Sequence, residues 1–362
     1  MKTKAIVLTG LGVLVTLGVV AHATGNLESL QGRFGAAPSI TAAVSPSTPR
    51  EDIVVAGDSG VEVASYQFTS NKEAFLVTDL TINNKNDLGL SDDNILKVYL
   101  NYEDSSGVAQ TEAGSLSTGV ATFTGLELYV PKDDTVDMDI LVDLNVVSGG
   151  ADSGETIRLY LTPGAVAVGQ TSNKTVSVVG KPADLKMTNL MHVYETKPTL
   201  SLSASSPSGM RSVSSVDNMF IFNVAADSSE KVDAKKVTID LTSDGDFDTA
   251  AAITAYLLDD TGASMASSPV TFTNASQAQV SFKVTGEVAK SDDEDWTLQL
   301  NTSALLNEDA GVDDPLTVSI ELGSAAGGKI TNGGFWWSDT NTTAKWVGNV
   351  SSTTLAGNTL TY

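Results

Sequence analysis

The feature that most restricts the fold of this chain is a two-residue alternation of apolar and polar side chains, which recurs throughout the sequence after residue 37. In the stretch "GVEVASYQFTS", for example, Val61, Val63, Tyr66 and Phe68 stand among small and polar partners. Clusters of Gly, Asn, Asp and Ser separate such runs, as turns separate short antiparallel strands. Helical periodicity is hard to find, so the pattern predicts an all-β chain.

The alternating pattern occurs in two similar copies along the sequence. "PSITAAVSPSTP" (38–49) returns as "PTLSLSASSPSG" (198–209), and the strands that follow keep the same order in both halves. In the best match between the halves, Trp296 falls on Met138, and both are interpreted as core residues because large apolar side chains are usually buried. Seven or eight strands per copy, with turns every 8–12 residues, predict two tandem Ig-like antiparallel β-sandwich domains, at 38–196 and 197–362. The junction "HVYETKPTL" leaves almost no linker, which predicts a stiff connection.

The N-terminus has the layout of a secretory signal peptide over residues 1–23. Lys2 and Lys4 precede an apolar run, and Ala21-His22-Ala23 forms a small-x-small cleavage site. The alternative is an uncleaved membrane anchor, although the run is shorter than the roughly 20 residues that a spanning helix prefers. No later stretch is long and apolar enough to span a bilayer. We therefore expect a secreted, extracellular chain without a membrane span after cleavage.

Residues 24–37 belong to neither sandwich. Leu27, Leu30 and Phe34 have a rough helical spacing that glycines interrupt. The segment is interpreted either as a disordered leader or as an arm that docks on a neighbouring molecule, for instance by strand addition.

Composition excludes several classes of function. Loss of Lys2 and Lys4 with the signal takes the formal net charge from −23 to −25, which disfavours nucleic acid and anionic lipid as partners. The chain has no cysteine, and His192 is the only histidine after the signal. A Ser-His-Asp triad, a thiolate nucleophile and a multi-histidine zinc site are thus almost excluded by counting, and we expect no enzyme.

Two acidic loops are candidates for Ca²⁺ binding, because closely spaced carboxylates supply the oxygen ligands that this ion prefers. The alternative is that both loops are simply solvated and contribute charge for solubility. The six candidate ligands are Asp244, Asp246 and Asp248 in the second copy and Asp87, Asp92 and Asp93 in the first.

The segment 333–346 has no equivalent in the first copy and concentrates aromatic residues beside Asp, Asn and Thr. Such a set covers a core, contacts another subunit or stacks on a sugar ring. The candidate binding or assembly residues here are Phe335, Trp336, Trp337 and Trp346.

The phrases "KPTLSLSASSPSG", "FNVAADSS" and "AGNTLTY" resemble the tandem Ig-like modules of secreted bacterial surface proteins, including S-layer-type coat proteins. This resemblance implies a structural or adhesive role outside the cell, often with calcium. We therefore expect a subunit of a surface layer or extracellular filament that associates with itself through sandwich edges and the aromatic segment. The alternative function is an adhesin or carbohydrate-binding module that uses the aromatic segment to bind glycans.

Overall fold

The computed structural model describes residues 37–84, 92–180, 185, 188–244, 247–306, 315–322, 333–339 and 354–362. The predicted signal peptide and all but the last residue of the segment 24–37 lie outside these ranges. Within them, no helix has the length and hydropathy needed to cross a membrane.

The first half of the chain folds almost wholly into strands, whose alternating burial follows the sequence pattern. They are β1 (Ser39–Val44), β2 (Asp52–Val55), β3 (Val61–Asn71), β4 (Phe75–Asn84), β5 (Ile95–Glu103), β6 (Ala109–Gly114), β7 (Val120–Val130), β8 (Thr135–Leu144), β9 (Thr156–Ile157), β10 (Leu159–Leu161), β11 (Val166–Gly169), β12 (Thr175–Ser177) and β13 (Met191–Tyr194).

The second half repeats this arrangement, and its helical turn α1 (Thr302–Leu305) stands where the first half has a 3-10 turn at Val147–Gly149. Its strands are β14 (Thr199–Leu202), β15 (Gly209–Met210), β16 (Asp217–Ala225), β17 (Val232–Ser243), β18 (Thr254–Leu258), β19 (Ser264–Asn274), β20 (Gln277–Val288), β21 (Asp293–Leu300), β22 (Pro315–Glu321), β23 (Phe335–Ser338), β24 (Thr354–Ala356) and β25 (Leu360–Thr361).

The two halves share one topology. The first has a sheet in the order β1-β3-β8-β5-β6, and the second has the matching order β14-β16-β21-β18-β19. In the opposing layer, β4 lies between β7 on one side and β10 and β11 on the other, just as β17 lies between β20 on one side and β22 and β23 on the other. The chain is therefore two tandem Ig-like β-sandwiches; the bounds 38–196 and 197–362 stay predictions.

Register confirms the predicted duplication at the level of single residues. Tyr66 lies opposite Met138 in the first sandwich, and Phe222 lies opposite Trp296 in the second. All four side chains are fully buried. The aromatic and methionine residues at these positions fill the two cores, as the sequence predicted.

The sequence predicted antiparallel sandwiches, and the structure departs from this at one place in each. Each sandwich ends with a parallel pair of strands. Strand β13 runs parallel to β2, and β25 runs parallel to β15. A parallel pair needs a long crossover connection. Both pairs have one, because the chain builds nearly the whole sandwich between the two strands.

The buried apolar side chains form two clusters. One consists of residues between 40 and 193, and the other of residues between 200 and 360 together with Ile53 and Tyr194. These two residues belong to strands of the first sandwich, so the first sandwich contributes directly to the core of the second. The connection between the domains is packed, and its stiffness stays a prediction.

Candidate functional site: the junction between the two domains

Two of the acidic candidates use their carboxylates within their own loops. Asp92 Oδ1 accepts a hydrogen bond from Asn84 Nδ2 at 2.9 Å, and Asp248 Oδ1 accepts one from the Ala250 N–H at 3.0 Å. Both bonds stabilise the chain where it leaves β4 or β17. They give these two residues a local structural role that the spacing of the acids did not predict.

The remaining acidic candidates do not define a metal site. Asp93 and Asp244 are exposed, while Asp87 and Asp246 lie outside the described residues. In the part of the chain that the structure describes, no three His, Cys, Asp or Glu side chains cluster so as to hold a metal ion. Calcium binding stays a prediction.

The described part of the aromatic segment belongs largely to the core, which is one of the alternatives that its sequence left open. Phe335 and Trp337 on β23 are fully buried, and Trp336 is half-buried with its indole N–H donating to the Gly333 carbonyl at 2.9 Å. Trp346 lies outside the described residues. Since only Trp336 of the described aromatic residues here can reach a ligand, we do not propose glycan binding.

A change in side-chain volume explains why this tryptophan fits in the second copy alone. Trp337 lies opposite Ala234, whereas the equivalent pair in the first copy is Ala167 opposite Val77. The small residue on β17 leaves room for the large one on β23. Protein cores are packed at nearly constant density, so the two substitutions compensate each other.

Trp337 also covers the end of the first domain. The Tyr194 ring packs against it edge to face, with centroids 5.5 Å apart and planes at 62°. Such a pair adds about 0.5–1.5 kcal/mol to the burial of the two rings. The Tyr194 hydroxyl is buried without a hydrogen-bond partner among the described residues, and burial, with the nearby charge of Asp339, raises the pKa of Tyr194 to about 12.

Polar groups fix the same junction from both sides. Asp339, which is fully buried in the second domain, accepts hydrogen bonds from the Ser153 hydroxyl and from the Glu195 N–H, the latter at 3.0 Å. The Thr196 hydroxyl donates to the Glu230 carbonyl at 2.7 Å. A buried carboxylate needs such donors, so Asp339 fixes the relative position of the two domains.

A charged cleft of ≈ 490 Å³ opens beside the junction. Lys197 Nζ lies 3.0 Å from Asp52 Oδ1 and 3.2 Å from the Ile53 carbonyl. Across the cleft, burial and the charge of Asp227 raise the pKa of Asp58. The lining therefore carries charges from both domains, and Lys197 is a cation at a predominantly acidic border.

The one histidine that follows the predicted signal peptide serves the junction as well. His192 on β13 is 8% exposed, and its Nε2 atom lies 2.8 Å from Glu51 Oε1. This contact ties β13 to the residue that precedes β2. It supports the parallel pair from which Ile53 and Tyr194 project.

Sequence reasoning missed the residues that join the domains. The short linker indicated a stiff junction, but nothing in the pattern singled out Asp339, Ser153 or Ile53. The roles of Asp339 and Ser153 depend on hydrogen bonds between positions 144 to 186 residues apart in the chain. Only the register of the two sandwiches brings these positions together.

Comparisons with known proteins add no functional assignment. The chain matches no protein-family model and no curated protein sequence. Among solved structures, it is similar to the collagen adhesin of S. aureus (9% identity, 89% of this chain and 92% of that one, TM-score 0.18). It is also similar to BcpA, the major pilin subunit of Bacillus cereus (9% identity, 90% and 69%, TM-score 0.23). At these TM-scores the likenesses carry no argument about function.

Proposed function

We propose that this chain is a secreted structural protein of the cell surface, a subunit of a surface layer or extracellular filament that assembles with itself and has no catalytic role. The junction carries this proposal. The chain already stacks two copies of one sandwich end to end, and Ile53 and Tyr194 of the first lie in the core of the second. A module that packs on its own copy within a chain is suited to repeat that contact between chains.

Open strand edges provide a second kind of contact. Within the described residues, β6 pairs with β5 alone, and its residues are mostly exposed. The matching strand of the second domain, β19, pairs with both β18 and β20 and so closes that edge. Unpaired edges readily add a strand from another chain, so the β6 edge of the first domain is suited to lateral association.

The acidic surface makes cations part of the proposal. A net charge near −25 repels a second copy, and divalent cations relieve that repulsion by screening or by binding carboxylates. We therefore expect calcium to promote assembly, whether or not it occupies one defined site.

Light scattering and negative-stain microscopy of the purified mature protein test this function. We expect the mass to rise above that of one chain with increasing protein concentration, more steeply with calcium than with chelator, and ordered filaments or sheets on the grid. Magnesium at equal concentration is the control for simple screening. A protein that stays monomeric at high concentration under all three conditions contradicts the proposal.

A further inference from the structure

Ile53 shows how one sandwich is joined to the next. It lies on β2, opposite His192 of the parallel strand β13. Its side chain is only 4% exposed and belongs to the core of the second domain. The parallel pair at the end of the first sandwich therefore presents an apolar residue to the module that follows.

Met210 is the counterpart of Ile53 in the second sandwich. It lies on β15, opposite Thr361 of the parallel strand β25. The chain segments that precede β2 and β15 are also alike. The Ser47 N–H donates to Ser45 Oγ in the first copy, and the Ser205 N–H donates to Ser203 Oγ in the second, each at 3.2 Å.

The neighbouring strands confirm this equivalence. Leu360 on β25 lies opposite Leu316, as Met191 on β13 lies opposite Ile157. One residue further along each closing strand, Thr361 lies opposite Met210 and His192 lies opposite Ile53.

The two counterparts differ completely in burial. Met210 is 82% exposed, and Val213 and Val216, which follow it, are 52% and 62% exposed. We call these three residues the distal apolar patch. Beside it, a cavity of ≈ 240 Å³ is lined by Val216 and Tyr256 among others.

The distal apolar patch is held in place by its flanking residues. The Arg211 N–H donates to the Thr361 carbonyl at 2.8 Å, and the Arg211 side chain pairs with the buried Asp217. Asp217 also accepts the Tyr362 hydroxyl at 2.7 Å. The exposed apolar side chains are thus presented on a fixed backbone.

The chain segment that enters a sandwich indicates what covers the patch. In the second domain, the residues before β14 run directly from the first domain and carry Tyr194 into the junction. Along the chain, the residues that precede β1 correspond in order to those that precede β14. The residues that precede β1 are the segment 24–37, whose apolar residues are Leu27, Leu30 and Phe34.

We infer that the distal apolar patch binds the N-terminal segment 24–37 of a second copy of this chain, so that molecules join head to tail at the place that corresponds to the internal junction. Met210 takes the part that Ile53 takes within the chain. The inference rests on the proposed self-assembly and names its longitudinal contact. It rests on the equivalence of Met210 with Ile53 of the internal junction, and it pairs an apolar surface with an apolar segment.

A charge placed on the patch tests this contact. In Met210→Lys, burial of an unpaired ammonium opposes docking, and we expect the concentration needed for assembly to rise at least about tenfold. Leu96→Lys is the matched control, since Leu96 is 63% exposed on the first domain, and it should assemble like the wild type. Assembly of Met210→Lys at wild-type concentrations overturns the inference, whereas failure of the wild type to assemble overturns the proposed function.

Disulfide cross-linking tests the partner directly, because the chain has no cysteine of its own. Phe34→Cys and Met210→Cys proteins are mixed under assembly conditions, oxidised and digested for mass spectrometry. We expect linked peptides that join position 34 of one chain to position 210 of another. Leu96→Cys in place of Met210→Cys is the control. Equal linkage to positions 96 and 210, or none to 210 in assembled protein, contradicts the contact.

Discussion

The Tyr194 ring of the first domain packs edge to face on the Trp337 indole of the second, and both side chains are fully buried. Together with Ile53, the pair joins two sandwiches whose cores are otherwise separate. It makes the end of one module part of the interior of the next, so changes at this contact affect both domains.

Truncation of the tryptophan should therefore be costly. We expect Trp337→Ala to lower the free energy of unfolding by about 3–5 kcal/mol, the usual range for a large aromatic residue removed from a core. Trp336→Ala on the same strand is the control and should cost clearly less, because Trp336 is half-buried. Urea denaturation followed by circular dichroism measures both. Equal losses for the two variants would show that Trp337 does not occupy the core.

Removal of the buried carboxylate at the junction should uncouple the domains. Asp339→Ala leaves the Ser153 hydroxyl and the Glu195 N–H without their acceptor, at a cost of about 1–3 kcal/mol. Asp339→Asn keeps one acceptor oxygen and should lose less. In scanning calorimetry we expect one transition for the wild type and two for Asp339→Ala. A single unchanged transition in Asp339→Ala would contradict this role.

The sequence predicted the fold well because alternation is a local signal. Residues such as Val63 and Phe68 face the core whichever strand lies beside them, and a repeated order of strands implies a repeated topology. The parallel pair β13 with β2 was not predictable in this way. Alternation says which face is buried, but it does not say in which direction the neighbouring strand runs.

The junction shows the same limit for the candidate site. An aromatic residue such as Trp337 has the same local pattern whether it covers its own core, another domain or a ligand. The structure distinguishes these cases by placing Ala234 opposite it and Tyr194 on top. Met210 was missed for a related reason, because its meaning depends on the counterpart Ile53, which only the strand register identifies.

The acidic turn after β18 should confer a pH-dependent stability. Hydrogen bonds from the Thr261 hydroxyl, the Ala263 N–H and the Thr261 N–H lower the pKa of Asp259 below its ordinary value of 3.8. A carboxylate whose pKa is lower in the folded than in the unfolded state stabilises the fold at pH values above the unfolded-state pKa. This stabilisation is lost as the pH falls through the folded-state pKa. We expect Asp259→Asn to have a lower Tm than the wild type at about pH 6, and the gap to close as the pH falls below 3.8.

Asp260→Asn is the matched control for this prediction. It makes the same change of charge at an exposed position of the same turn. Its Tm difference from the wild type should not show this closure on acidification. Parallel behaviour of the two variants in thermal melts across pH would assign the effect to net charge instead of the turn.

The glycines that end the equivalent turns of the two copies should respond alike to substitution. Gly107 and Gly262 have φ values of 71° and 81°, and a Cβ added at either position meets nothing within 4 Å. Alanine there costs only the strain of the left-handed backbone, roughly 1–2 kcal/mol, while asparagine adopts that backbone more readily and should cost less. Because the turns lie in different domains, the double variant Gly107→Ala, Gly262→Ala should lose the sum of the single losses to within about 0.5 kcal/mol. Urea denaturation measures the free energy of unfolding of each variant. Unequal losses for the two single variants would contradict the prediction and would mean that the two turns do not contribute equally to the stability of their domains.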